Sequence, residues 1–354
     1  MNAVRLTRLA AALVVALSVT TAPAQSIDWV TVGDPGNAND TTGFGAVAAS
    51  FRIMKYEFTN QQYVAFLNAV DPDGTNPNSI YSGFMSTAYG GISFTSGTTA
   101  GSKYASKTNM ASKPVNYVTW FDAARVSNWL QAGGTTYGTS LSGSAAINSG
   151  AYTLNGATTG NARAVNPGAT FYVPTQNQWY KAAYYKGGST NAGYWTYGTQ
   201  SNTAPTAVSA TTVGTGTSGG VSPVTSGNFA NYNLGADWNG LDGNLTTVGT
   251  NGGPSAYGAF DMSGNVIEWN DLTGAAGSSR GLRGGSASTA AASLSSSSNN
   301  SFAPQNEMEI IGFRLAGSVS DPSGVPEIDP AGMASVLALV TGALGLVERR
   351  RSRR

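Results

Sequence analysis

The chain contains no cysteine and no histidine, and charged residues make up only 10% of its 354 positions. Without cysteine there is no disulfide framework, no thiolate nucleophile and no sulfur metal site. Without histidine the Ser-His-Asp relay and the common zinc, copper and non-haem iron sites are excluded. Ordinary domains carry about 25% charged residues, and with a net charge of +1 no basic field exists to gather nucleic acid. The chemistry left is that of carboxylate, amide, hydroxyl, Lys, Arg and Tyr, so any bound metal should be hard and oxygen-loving, most simply calcium.

What is abundant is Gly, Ser, Thr and Asn, a composition suited to an exported protein with long turns. Both ends read as addresses. Arg5 and Arg8 precede an apolar run from Leu9 to Val19 and then Ala22-Pro23-Ala24, the pattern of a secretory signal peptide over residues 1–24 with cleavage before Gln25. At the other end Val325-Pro326-Glu327-Ile328-Asp329-Pro330 leads into an apolar stretch, residues 331–347, closed by Glu348 and a run of arginines. Terminal arginines would hold such a stretch at the inner face of a membrane. This tail over 325–354 resembles the PEP-CTERM sorting signal of Gram-negative bacteria. The resemblance implies an exosortase-type sorting enzyme as partner, a transmembrane helix before processing, and delivery to the cell surface, outer membrane or extracellular matrix. Residues 25–318 form the domain between, and 319–324 a linker.

Within the body, one signal occurs three times. Thr59, Thr119 and Thr175 each follow an extended run and have Gln62, Asp122 and Gln178 three residues on, the capping-box spacing that starts a helix. Tyr63, Phe66, Leu67 and Val70 fall on one face of the first helix. Trp120, Ala123, Ala124, Ser127 and Leu130 do so on the second, which Gly133-Gly134 ends. Phe51 to Phe58, Leu282 to Ser286 and Gly312 to Ala316 read as strands. Residues 71–112 read as loops with short strands, and the Thr/Ser/Gly-rich span 201–227 as a mobile excursion. The fold class is α+β with few helices, short strands and much irregular loop. The tryptophans are expected mostly in the core.

The stretch Tyr257 to Trp269 packs large apolar side chains around a Ser-Gly-Asn turn, with Asp261, Asn265 and Glu268 as acceptors. Such a turn either caps its own backbone or wraps a hard cation. With Tyr56 to Tyr63, Lys113 to Ala124, Tyr172 to Trp179, Leu282 to Ser286 and Gly312 to Ala316, it makes six motifs in an order that resembles the formylglycine-generating enzyme or sulfatase-modifying-factor family. The resemblance implies a variant of the C-type lectin fold in one domain. It also implies structural calcium at two places: Gly264, Asn265, Val266 and Glu268, and Asn231, Tyr232, Asp242 and Asn244.

The family's enzyme oxidises a sulfatase cysteine with copper held by two cysteines after the Arg-Gly-Gly-Ser motif. Here the matching region, Ala287 to Ser298, holds only Ala, Ser, Thr and Leu, and hydroxyls do not replace thiolates for copper(I). A second branch of the family needs histidine ligands for iron. Neither copper nor iron, and no catalytic residue of the family, is therefore expected. The leading expectation is a non-catalytic module whose aromatic loops, with Tyr194, Trp195 and Tyr197 foremost, meet an extracellular glycan or a protein ligand. The alternatives are formylglycine-generating oxidase activity, as homology alone suggests, or a carboxylate hydrolase using Glu57, Asp122, Asp261, Glu268 or Asp271.

Overall fold

The structure is a computed structural model that describes residues 27–134 and 147–319. The signal-peptide and sorting-signal readings lie outside those residues, as does the apolar stretch 331–347. Among the described residues no helix is long and apolar enough to cross a membrane.

All three expected helices form, and each starts at the predicted threonine. α1 runs Asn60–Val70, α2 Trp120–Gln131 and α3 Gln176–Tyr184. In each the threonine hydroxyl accepts from the backbone N–H three residues on, and that residue's side chain accepts from the threonine N–H. Two orphan donors are thereby satisfied at each helix start. The one-sided face expected for α2 is corrected: all its residues except Gln131 are buried. Arg125, Ser127 and Asn128 are buried beside the apolar residues, and those polar groups find internal partners. Asn128, for example, donates to the carbonyls of Ile147 and Tyr152 and accepts from the Tyr152 N–H.

Two four-stranded sheets organise the rest. In the first, the order is Trp29–Val32, Phe51–Met54, Ala316–Ser318, Phe171–Tyr172, every pair antiparallel. Arg52 stacks its guanidinium over Trp29 and Phe171 at 4.7 and 4.9 Å, bridging strands that lie apart in the sheet. In the second, the order is Asn300–Phe302, Arg280–Arg283, Ile267–Asn270, Ile311–Gly312, with the last pair parallel. The single strand expected over Gly312 to Ala316 is instead divided. Ile311–Gly312 belongs to one sheet and Ala316–Ser318 to the other, so Phe313, Arg314 and Leu315 cross between the sheets.

The larger apolar core joins α1 and α2 to the second sheet through residues such as Phe66, Trp120, Val126, Trp269, Leu282 and Phe313. A smaller one packs Trp179, Ala182 and Ala183 of α3 against Val32, Phe51 and Ile53 of the first sheet. Full burial of such large apolar side chains contributes roughly 1.5–3 kcal/mol each. Trp120, Trp129, Trp179, Trp238 and Trp269 are all buried, as expected for core tryptophans. The excursion read over 201–227 is not an unstructured span. Thr206–Ala207 pairs with Phe229–Ala230, and Ser209–Ala210 with Gly216–Thr217. Val208 and Val224 are buried, and a Cβ on Gly214 would sit 2.4 Å from the Trp238 ring. Composition pointed to looseness, but the small residues are what lets this loop lie flat on its neighbours.

Candidate functional site

The turn Asp261–Asn265 lies between the sheets, and its backbone explains its residues. Asp261 and Asn265 hold φ of +55° and +62°, a left-handed conformation that Asn and Asp tolerate better than other side chains. Gly264 combines φ +88° with a close approach: a Cβ there would lie 2.2 Å from the Asn231 carbonyl oxygen. Only glycine fits.

Asn265 is the hub of a buried amide network. Its Nδ2 donates to Glu57 Oε2 at 2.7 Å, and its Oδ1 accepts from Thr246 N at 3.0 Å and Asn231 Nδ2 at 3.1 Å. Its carbonyl accepts from Ala287 N–H, and its N–H donates to the Asn231 carbonyl. Glu57 Oε1 accepts from Val266 N–H at 3.1 Å. Asn231 Nδ2 also reaches the Asn244 carbonyl at 3.0 Å. The fold therefore brings Asn231, Asn244 and Asn265, read from sequence as parts of two separate sites, into one cluster. Glu57, read from sequence only as a candidate hydrolase acid, is the member that the sequence did not join to this turn. It stands 208 positions from Asn265, and no local spacing could have joined them.

Glu268 is placed differently from its sequence neighbours. Both of its oxygens face Arg314: Nε lies 2.7 Å from Oε2 and Nη2 2.7 Å from Oε1. Trp179 Nε1 donates to Oε2 at 2.8 Å. Arg314 also donates to the carbonyls of Met54 and Phe260. Asp261 accepts from Gly249 N–H and Asn251 Nδ2. Burial pushes the Glu57 carboxyl well above the usual carboxylate range, the charges of Asp261 and Glu268 add to the rise, and Arg314 opposes it. Burial raises Asp261 too, against the pull of its two donors and of Arg314. Three carboxyls share one guanidinium, so the protonated form of Glu57 is favoured.

The expected calcium sets can be tested against this geometry. Calcium needs six to eight free oxygens. In the Gly264–Glu268 set, the Glu268 carboxylate is spent on Arg314 and Trp179, and the Asn265 oxygens on amide donors. A dication there would sit beside a guanidinium. That set does not fit calcium. In the other set Asn231 Oδ1 is buried with no hydrogen-bond partner, the kind of orphan acceptor a cation would take up. Asp242 is exposed, and nearby Asp237 Oδ1 accepts from Gly243 N–H. The Tyr232 carbonyl accepts from Gly235 N–H. Among the described residues no three His, Cys, Asp or Glu side chains are grouped to hold a metal, so an ion at this set would rest largely on amide and carbonyl oxygen.

The remaining buried acids are also committed. Asp271 meets Arg280 Nε at 2.5 Å and accepts from Tyr152 and Trp120. Asp122 accepts the Thr119 N–H and hydroxyl. Burial lifts both carboxyls to about 6. In the segment after Arg-Gly-Gly-Ser, the Thr289 hydroxyl donates to the Ser286 carbonyl and accepts the Ser286 N–H, and Leu294 is buried.

The aromatic surface read from sequence divides. Tyr194 is a packing residue: its ring meets Tyr180 and Tyr185, and its hydroxyl bonds Asn37 and the Ala38 carbonyl. Trp195, under the Lys186 ammonium at 4.5 Å, and Tyr197 are half-buried.

Residues 33–319 match the sulfatase-modifying factor enzyme 1-like domain. The chain belongs to that family, and its fold is the family's C-type-lectin-like arrangement of few helices, short strands and much loop. Among solved structures it is similar to CarF, at 22% identity over 83% of this chain and 99% of that one, with a TM-score of 0.46. The Treponema denticola variable protein 1 matches at 18% identity over 84% and 98%, TM-score 0.43. PvdO from Pseudomonas aeruginosa matches at 17% over 83% and 92%, TM-score 0.39. No curated protein matches the chain.

Proposed function

We propose that this family member is a non-catalytic, exported module that binds an extracellular glycan or protein ligand. One observation carries the reading. The chain has no cysteine or histidine, and Glu57, Asp122, Asp261, Glu268 and Asp271 are all buried against internal donors. A glycoside hydrolase needs two carboxyls facing an open space about 5–10 Å wide, and these face the interior. The copper chemistry associated with the fold needs soft ligands. The loops that remain are polar and aromatic, with Trp195 and Tyr197 as the half-exposed candidates for ligand contact.

Export and surface display follow in this reading from residues 1–24 and from the tail, with an exosortase-type enzyme acting at Val325 to Pro330. Structural calcium is proposed at Asn231, Tyr232, Asp242 and Asn244 only. The test uses the purified protein on a panel of extracted matrix polysaccharides, beside a sulfatase-type cysteine peptide followed by mass spectrometry. Binding that Trp195→Ala removes, with no aldehyde formed, supports the module. Conversion of the peptide to an aldehyde overturns it.

A further inference from the structure

Phe84 stands apart from the other apolar side chains. It is 60% exposed, yet its ring is held flat, stacked on Tyr117 with centroids 5.7 Å apart and planes at 23°. The residue beneath is itself unusual. Tyr117 has φ +54°, a left-handed backbone that costs free energy for a bulky side chain and needs surrounding structure to hold it. That structure is present: Tyr117 N–H donates to the Met308 carbonyl, and Asn116 Nδ2 donates to the carbonyls of Glu309 and Tyr89.

Two carboxylates, Glu309 and Glu307, lie close enough for their charges to act on the Tyr117 hydroxyl. The Ser82 hydroxyl accepts from Phe84 N–H at 3.2 Å and donates to Glu307 Oε1 at 2.6 Å. Glu307 is half-buried and Glu309 exposed. The adjacent Lys107 ammonium is turned to the carbonyls of Thr87 and Gly90 at 2.6 and 2.7 Å. The surface thus presents an open aromatic face bordered by two carboxylates, with the Lys107 ammonium drawn back onto backbone carbonyls.

We propose that Phe84, backed by the buried Tyr117 ring and bordered by Glu307 and Glu309, forms a docking platform for a glycan that carries protonated amino groups. The C–H face of a pyranose lies flat on an aromatic ring, and an ammonium gains both from the ring's negative face and from the carboxylates. The same carboxylates repel uronate or sulfated chains. The proposal rests on the reading of this domain as a binding module, but on a surface separate from Trp195.

The test is calorimetry of the purified protein with a glucosamine oligosaccharide, its N-acetylated counterpart, and oligolysine. The expected result is salt-sensitive binding of the glucosamine oligomer, at least about tenfold weaker for the acetylated one, since loss of charge removes both attractions. Phe84→Ala and the pair Glu307→Gln with Glu309→Gln should each weaken it at least about tenfold at unchanged melting temperature. Equal binding of the acetylated oligomer, indifference to Phe84→Ala, binding of oligolysine without the sugar, or no binding at all would overturn the platform. Glucosamine binding that survives Trp195→Ala supports the platform and leaves the Trp195 surface to its own polysaccharide panel, so the two readings fail separately.

Discussion

Arg314 and Glu268 face each other in a two-pronged ion pair at 2.7 Å on each side, both buried where the chain passes from one sheet to the other. Replacing one partner strands a charge in the interior, which typically costs about 3–5 kcal/mol. Glu268→Gln should therefore lower the denaturant midpoint strongly. The combination Glu268→Leu with Arg314→Met should recover part of the loss. A single variant as stable as the parent would show that the pair contributes nothing.

Asn265 donates to Glu57 and accepts from Thr246 and Asn231. Asn265→Asp keeps the shape and the tolerance for positive φ, but sets an acid against Glu57 Oε2. It should destabilise the protein at pH 7 by on the order of 2 kcal/mol, with partial recovery at pH 5 as the pair takes up a proton. Chemical denaturation at the two pH values reads this directly. A loss independent of pH would point to geometry rather than charge.

Buried acids set an unusual pH response. Asp122 and Asp271 are lifted from 3.8 to about 6 by burial, and Glu57 and Asp261 are raised too. Over the interval from about 4 to 6 the folded state holds more protons than the unfolded one, so stability falls as pH rises through it. A rise from 3.8 to about 6 corresponds to roughly 3 kcal/mol for one group at full burial. Denaturant midpoints should increase from pH 7 to pH 5, and Asp122→Asn should flatten that increase. A midpoint that drops over this range would contradict the assignment.

Thr59, Thr119 and Thr175 cap separate helices through the same reciprocal pair. Each change to alanine should cost about 1 kcal/mol. Because the helices are distinct, the triple variant should lose close to the sum. Thermal melts of the four variants check both the size and the additivity.

Calcium proposed at Asn231, Tyr232, Asp242 and Asn244 makes a separate claim. Calcium should stabilise the fold by a few kcal/mol at saturating ion, so the melting temperature rises with added calcium and falls with chelator. Asp242→Asn should reduce the difference, whereas Glu268, held by Arg314, is not needed for it. Coincident melts with calcium and with chelator would end the proposal.

The helix starts were legible because a capping box is complete within four consecutive positions. Neither neighbour nor sheet is required to form it. The same reasoning failed for α2, where periodicity described one apolar face and the fold buried Arg125, Ser127 and Asn128 as well. Tyr194 looked like a ligand contact by composition, and its ring instead meets Tyr180 and Tyr185 edge to face.

The chain's composition by itself excluded thiol and imidazole chemistry, because no arrangement in space can supply a missing ligand atom. Its local spacings fixed where helices begin and where glycine and asparagine must turn the backbone. Which acid meets which base was decided by the tertiary structure alone. Glu57 reaches Asn265, and Glu268 reaches Arg314, only because two sheets enclose them in a volume from which water is excluded, and there every charge must find its partner within the protein.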